Sequence, residues 1–220
     1  MWLPPFLSRR RLLAGSAATG GALAARAALG QSGHGVHVTG VTVSGVQATI
    51  AAMRFARELR ADVVVNRVGR VPEDEGDARF VRLVEALTAI GSYGDRVGTR
   101  LAAQTGGERP HDLLRLLRAL PEQTVGVDLH PTGLILGGQS PRDAVDLLGP
   151  YVLHVHACDA IRDAAGRANE VELGRGSAEL PELLGQLTEF DYRGWVTIER
   201  RDSSDPIAEI ENAVAFLRAL

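Results

Sequence analysis

The stretch YVLHVHACDA, residues 151–160, places His154 and His156 two apart in a run that otherwise reads as a buried strand. Side chains alternate along a strand, so the two imidazoles share a face. The same spacing puts Gly126, Asp128 and His130 on one face of a second run, and Trp195, Thr197 and Glu199 on one face of a third. Asn66 with Arg67 and Gln104 with Thr105 stand at the ends of two more. Imidazole nitrogen and carboxylate or amide oxygen are donors suited to zinc, manganese, cobalt or iron. If these faces look into a common interior, Gln104, His130, His156 and Glu199 can share one divalent ion. Each histidine taken alone reads more simply as a hydrogen-bonded interior residue, with Glu199 paired to an arginine. The constellation, rather than any one member, carries the metal reading.

The elements that must position these groups follow from periodicity. From Val36 onward, short runs rich in Val, Ile and Leu alternate with longer stretches of helical period. Strand-like runs begin near Val36, Ala61, Val97, Thr124, Tyr151 and Gly194. Helices are expected over 46–60, 77–90, 109–120, 141–148, 181–190 and 206–220. Strands without polar alternation, each followed by an amphipathic helix, predict a parallel sheet covered by helices. The class is therefore α/β. An open doubly wound sheet and a (β/α) barrel both fit. No Gly-rich fingerprint opens a helix after the first strand, which removes the best support for a dinucleotide fold. Polar residues at the C-terminal ends of five strands favour the barrel, where those ends converge on one mouth.

A chain of 220 residues with 45% hydrophobic content and a net charge of -3 has the make-up of one globular domain. Its basic residues are scattered, so no basic face for nucleic acid is expected. The lone cysteine, Cys158, excludes an intrachain disulfide and reads as a small, half-buried residue at a strand end. The first 33 residues contain SRRRLL, then an Ala- and Gly-rich run with Ala-x-Ala at Ala22 to Ala24 and Ala25 to Ala27. This layout resembles a twin-arginine export signal, followed by a linker over 31–35. The alternative is a mis-called coding start. A genuine leader places the protein in the periplasm, and a mis-called start leaves it in the cytoplasm. The apolar run over 12–25 is too short and Gly-rich to span a bilayer. The barrel domain is assigned to 34–220.

VGVDLHPTGLILGGQSPRDAVDLLGPYVLHVHACDA and EVELGRGSAELPELLGQLTEFDYRGWVTIER together resemble the C-terminal half of the xylose isomerase-like barrels. That group holds sugar and sugar-phosphate isomerases and epimerases. The specific features are a His-x-His-x-x-Asp strand, an LGRGS loop leading to a helix, and a GWVTIER strand in that order. The resemblance implies a TIM-type barrel with a divalent metal ion (manganese, cobalt, zinc or magnesium) near its C-terminal mouth. His156 and Glu199 match the family's histidine and glutamate ligands. Asp159 and Arg162 fall where epimerases contact substrate hydroxyls. Gln104 stands where the family shows glutamate, His130 replaces a carboxylate, and Gly133 stands where a histidine often does. The implied reaction is proton transfer next to a carbonyl through an enediolate, with Glu199 and His130 as acid and base and a small sugar or sugar phosphate as ligand.

Six strands are expected where a barrel needs eight, so the barrel reads as incomplete, lacking its first two strand–helix units. A wrong start, closure by a second chain in a homo-oligomer, and a degenerate relative are the competing explanations. The neutral Gln104 and the missing strands favour an alternative function, a non-catalytic barrel that binds a carbohydrate or a partner. Arg67 and Arg70 either clamp a phosphate or carboxylate, or pair with Glu73, Asp74 and Glu75 in a solvated loop.

Overall fold

A computed structural model provides the fold, and the residues it describes are 12–16, 36–38 and 43–220. In chain order the elements are β1 (Leu12–Ser16), β2 (Val36–Val38), α1 (Val43–Glu58), β3 (Val63–Asn66), α2 (Ala78–Val97), β4 (Arg100–Gln104) and α3 (Pro110–Arg118). There follow β5 (Val125–Leu129), α4 (Pro131–Leu136), α5 (Pro141–Leu148), β6 (Val152–Ala157), β7 (Asp159–Arg162), β8 (Ala168–Val171), α6 (Leu180–Thr188), β9 (Trp195–Arg200) and α7 (Pro206–Arg218). The chain falls into two units, divided between Asp128 and Leu129. The alternation is that of a TIM-type (β/α) barrel in incomplete form.

In the unit that ends at Asp128, β2, β3, β4 and β5 lie side by side and parallel. Val63 to Val65, Leu101 to Ala103, Val125 and Val127 are all buried, as expected of strands covered on both faces. Met53, Leu87, Ile90, Leu113 and Leu116 bury the apolar stripes of the covering helices. Helix α2 runs past the expected end at Ile90 to Val97. Gly91 and Gly94, inside it, are close-packing positions. A Cβ on Gly91 would lie 2.5 Å from the Thr124 side chain, and one on Gly94 would lie 2.5 Å from the Thr99 carbonyl. The strand expected from Val97 accordingly starts later, at Arg100. Of the run expected as strand over 36–44, Val36–Val38 is strand, and α1 has begun by Val43.

In the unit from Leu129, β1, β9 and β6 lie parallel in that order. Residues 12–16, which fall within the apolar run of the expected export signal, form β1 and pair with β9, Leu12 opposite Val196 and Ser16 opposite Arg200. The Ala-x-Ala positions and the linker lie outside the described residues. Strands β7 and β8 form an antiparallel hairpin in the segment expected as a polar loop. Their residues are only partly buried, so no apolar alternation marked them. Among the described residues no helix is long and apolar enough to cross a membrane.

Candidate functional site

In the unit from Leu129, the C-terminal parts of β6 and β9 and the residue after β5 bring together His130, His156 and Glu199. His130 Nε2 and Glu199 Oε2 are 2.7 Å apart, and the His130 ring centroid is 5.1 Å from that of His156. All three expected ligands of this unit thus converge, as the alternation rule required. His130 closes β5 and opens α4, where its Nδ1 accepts a hydrogen bond from the Gly133 N–H at 2.9 Å. That bond decides the tautomer: with Nδ1 filled as an acceptor, the proton sits on Nε2 and is donated to Glu199. Gly133 therefore has a local task, capping by its amide.

Glu199 has its second oxygen, Oε1, 2.6 Å from the Arg201 Nε. Burial opposes its charge, but the His130 hydrogen bond and the neighbouring His156, His130 and Arg201 hold the carboxyl well below the usual range. Arg201 was not among the expected site residues, since nothing in its spacing marks it. Cys158 is buried, with Sγ 3.8 and 3.9 Å from the two ring nitrogens of His130. The sulfur is thus in contact with the imidazole. His154 shares the face of His156, its ring centroid 4.8 Å away, and its Nε2 is 2.8 Å from Thr197 Oγ1. For His154, the bonded interior reading is the observed one.

Asp159 and Arg162, expected on substrate hydroxyls, are committed elsewhere. Asp159 Oδ1 accepts from the amides of Ala160 and Ala178, and Oδ2 from those of Gly174 and Gly176. Four amides converge on one buried carboxylate, so Asp159 folds the LGRGS loop around itself. Arg162 donates to the carbonyls of Ile135 and Leu136, closing the C-terminus of the short helix α4. Shortening that side chain in Arg162→Ala is expected to cost about 0.5–1.5 kcal/mol in a urea unfolding titration, the ordinary worth of an exposed cap. The Tyr192 hydroxyl donates to the Trp195 carbonyl at 2.6 Å.

In the unit that ends at Asp128, a polar chain runs along the strand ends. Arg67 Nε donates to Gln104 Oε1 at 3.0 Å, and Gln104 Nε2 donates to Asp128 Oδ2 at 3.0 Å. Both ends of the amide are engaged. The Gln104 oxygen, expected among the metal ligands, accepts from the Arg67 guanidinium, so the amide bridges Arg67 and Asp128. Arg67 is not paired with the acidic loop that follows it. Arg70 is the arginine that remains there, lining a cavity of about 720 Å³ together with Glu73, Asp74, Asp77, Arg79 and Arg82. Asn66 instead ties β3 to α1 through Thr49 Oγ1, at 3.1 Å. Glu108 was missed altogether: it stands in the loop between β4 and α3 with both carboxyl oxygens buried.

A curated relative, an uncharacterized protein of Methanocaldococcus jannaschii, is 26% identical over 180 residues, which is 76% of this chain and 60% of that protein. The chain thus spans less than two thirds of that relative's length. A xylose isomerase domain protein of Planctomyces limnophilus superposes with a TM-score of 0.71 at 25% identity, covering 80% of this chain and 64% of the other. A xylose isomerase-like TIM barrel protein of Mycobacterium smegmatis, solved in complex with magnesium, gives 0.68 at 15% identity over 80% of this chain and 66% of the other. D-psicose 3-epimerase of Clostridium cellulolyticum H10, solved with D-tagatose, gives 0.63 at 14% identity over 80% of this chain and 70% of the other. The profile of one family matches residues 23–220, and the chain belongs to that family, the xylose isomerase-like TIM barrels.

Proposed function

We propose that the protein is a divalent-metal-dependent isomerase or epimerase that moves a proton next to the carbonyl of a small sugar derivative. The observation that carries this is the His130–Glu199 pair, bonded at 2.7 Å with His156 beside it. The same fold in D-psicose 3-epimerase and in a magnesium-bound barrel protein supports the substrate and metal classes.

His130, His156 and Glu199 would hold the ion, two imidazoles and a carboxylate being a donor set that suits manganese, cobalt or zinc. When bound, such an ion polarises a carbonyl oxygen and stabilises the charge that develops on it. A proton donated from His130 Nε2 to Glu199 would have to leave before that nitrogen could ligate. Glu199 is the half-buried carboxylate that would accept a proton from carbon, and Arg201 fixes its second oxygen. Cys158 and the Gly133 amide hold the His130 ring in one orientation.

Purified protein is expected to contain a transition metal by elemental analysis and to gain thermal stability with Mn²⁺, Co²⁺ or Zn²⁺. It is also expected to exchange a carbon-bound hydrogen of D-tagatose or D-psicose into deuterated water. Absence of both metal and metal-induced stabilisation removes the proposal. A second reading has its own support in Gln104, a neutral group that cannot replace a family glutamate as base, at a cost of about 10² to 10⁴ in rate. On that reading the protein binds a sugar without turning it over, and ligand stabilises the fold with no exchange.

A further inference from the structure

Strand β9 pairs with β6 as far as Ile198 and with β1 as far as Arg200, so Arg201 is the first residue beyond both ladders. Its amide takes an acceptor from the β7–β8 hairpin instead. Glu170 Oε1 accepts from the Arg201 N–H at 2.9 Å, across 31 residues of chain. The same oxygen lies 3.3 Å from Arg200 Nη1, and the Arg200 Nε is held by Glu209 of α7. The Glu170 and Arg200 side chains are only 10% and 11% exposed, respectively 10% for Glu170 and 11% for Arg200. Solvent therefore screens this carboxylate less than an ordinary surface pair, and its charge strengthens its grip on the backbone it touches.

Arg201 carries that grip into the candidate site. Its Nε donates to Glu199 Oε1 at 2.6 Å, while Glu199 Oε2 is 2.7 Å from His130 Nε2. One polar chain thus runs from Glu170 through the Arg201 backbone and guanidinium to Glu199 and His130. An arginine side chain is rich in rotamers and this one is 39% exposed, so fixing its Cα removes much of its freedom to leave that oxygen. Glu172, two residues beyond Glu170, provides the contrast. It accepts from Asn212 of α7 at 2.8 Å and pairs with Arg175 of its own loop, with no bond to Arg201 or Glu199 among the described residues.

We infer that Glu170 is a positioning residue of the candidate site: from the hairpin it fixes the Arg201 backbone, so that Arg201 keeps Glu199 Oε1 in place and leaves Oε2 to His130. The role rests on the proposed function for what Glu199 does, and on the structure alone for how Glu199 is held. A carboxylate supported in this way keeps the geometry that ligation and proton transfer require.

The test is an NMR measurement on the whole metal-free chain, in which the Arg201 Nε–H signal, assigned by its loss in Arg201→Lys, reports on the bond to Glu199. In the wild type that proton should exchange slowly with water. Glu170→Ala should speed the exchange by roughly tenfold or more, whereas Glu170→Gln, which keeps an acceptor oxygen for the Arg201 amide, should stay within about threefold. Glu172→Ala, which loosens the hairpin from α7 and spares Arg201, should leave the exchange unchanged. Should Glu170→Ala fail to fold, Glu170→Asp takes its place, keeping the charge but falling one methylene short. Thermal-shift titration with Mn²⁺ or Zn²⁺ reads the consequence. The Glu170→Ala or Glu170→Asp protein should bind metal about tenfold more weakly, the lower end of what a supporting partner contributes, and Glu172→Ala should bind as the wild type does. Unchanged exchange in the Glu170 variant, equal acceleration in Glu172→Ala, or wild-type metal affinity in the Glu170 variant overturns the inference. A wild type that binds no metal removes the proposed function instead, and the Arg201 proton still decides whether Glu170 holds the partner of Glu199.

Discussion

Asp159→Ala should destabilise the fold by roughly 3–5 kcal/mol, since it strips the acceptor from four backbone amides at once and hydrogen bonds to a charged group are the stronger class. The donors sit one, fifteen, seventeen and nineteen residues further along the chain, so the substitution releases a whole loop rather than one contact. Two measurements belong together: the urea midpoint, and hydrogen exchange at Gly174, Gly176 and Ala178. A loss below about 1 kcal/mol with those amides still protected would show that the loop is held by something else. Asp159→Asn should fall between, because its NH₂ group faces N–H donors where an oxygen stood. Gly176→Ala should reproduce the defect from the other side. Its Cβ would lie 2.1 Å from Asp159 Oδ1 and 2.5 Å from the Ala160 carbonyl, and backbone cannot step aside.

Glu199→Ala and Glu199→Gln should separate structure from chemistry at the other carboxylate. Alanine leaves the buried His130 Nε2–H without its acceptor and Arg201 without its partner, for an expected loss of about 2–4 kcal/mol. Glutamine keeps an oxygen for His130 and should fold with a loss nearer 1 kcal/mol. It has no negative charge, however, and should lose metal-induced stabilisation and hydrogen exchange by a factor of about 10² or more. A Glu199→Gln protein that still gains stability from Mn²⁺ or Zn²⁺ as the wild type does would take Glu199 out of the ligand set. His130→Asn tests the same pair from the imidazole: the amide can bond to Glu199 but is a poor ligand, so the metal effect should again vanish while the fold persists.

How far the sequence reaches is visible in these residues. Alternation with period two was enough to place His154 with His156 and to bring His156, Glu199 and His130 to one rim, because a strand's geometry is local and repeats. The strand–helix repeat was legible for the same reason, down to six strands whose centres lie within the expected runs. The end of α2 was misplaced: the helix runs on through Gly91 and Gly94, where Thr124 and the Thr99 carbonyl leave no room for a Cβ and so require glycine. The hairpin of β7 and β8 was not legible, since most of its residues are exposed or only partly buried and show no apolar alternation.

The site divides along the same line. Residue type and spacing by themselves pointed to the fold class and to candidate metal donors, and the resemblance of two segments pointed to the family. Only the tertiary structure decided what each donor atom is spent on: Gln104 on Arg67 and Asp128, Asp159 on loop amides, the His130 proton on Glu199. The physical reason is that a hydrogen bond is decided within about 3 Å of space, by partners that lie tens of residues away along the chain. Glu108 is the extreme case, for its oxygens are buried without a partner, and no pattern of neighbours in sequence can announce that.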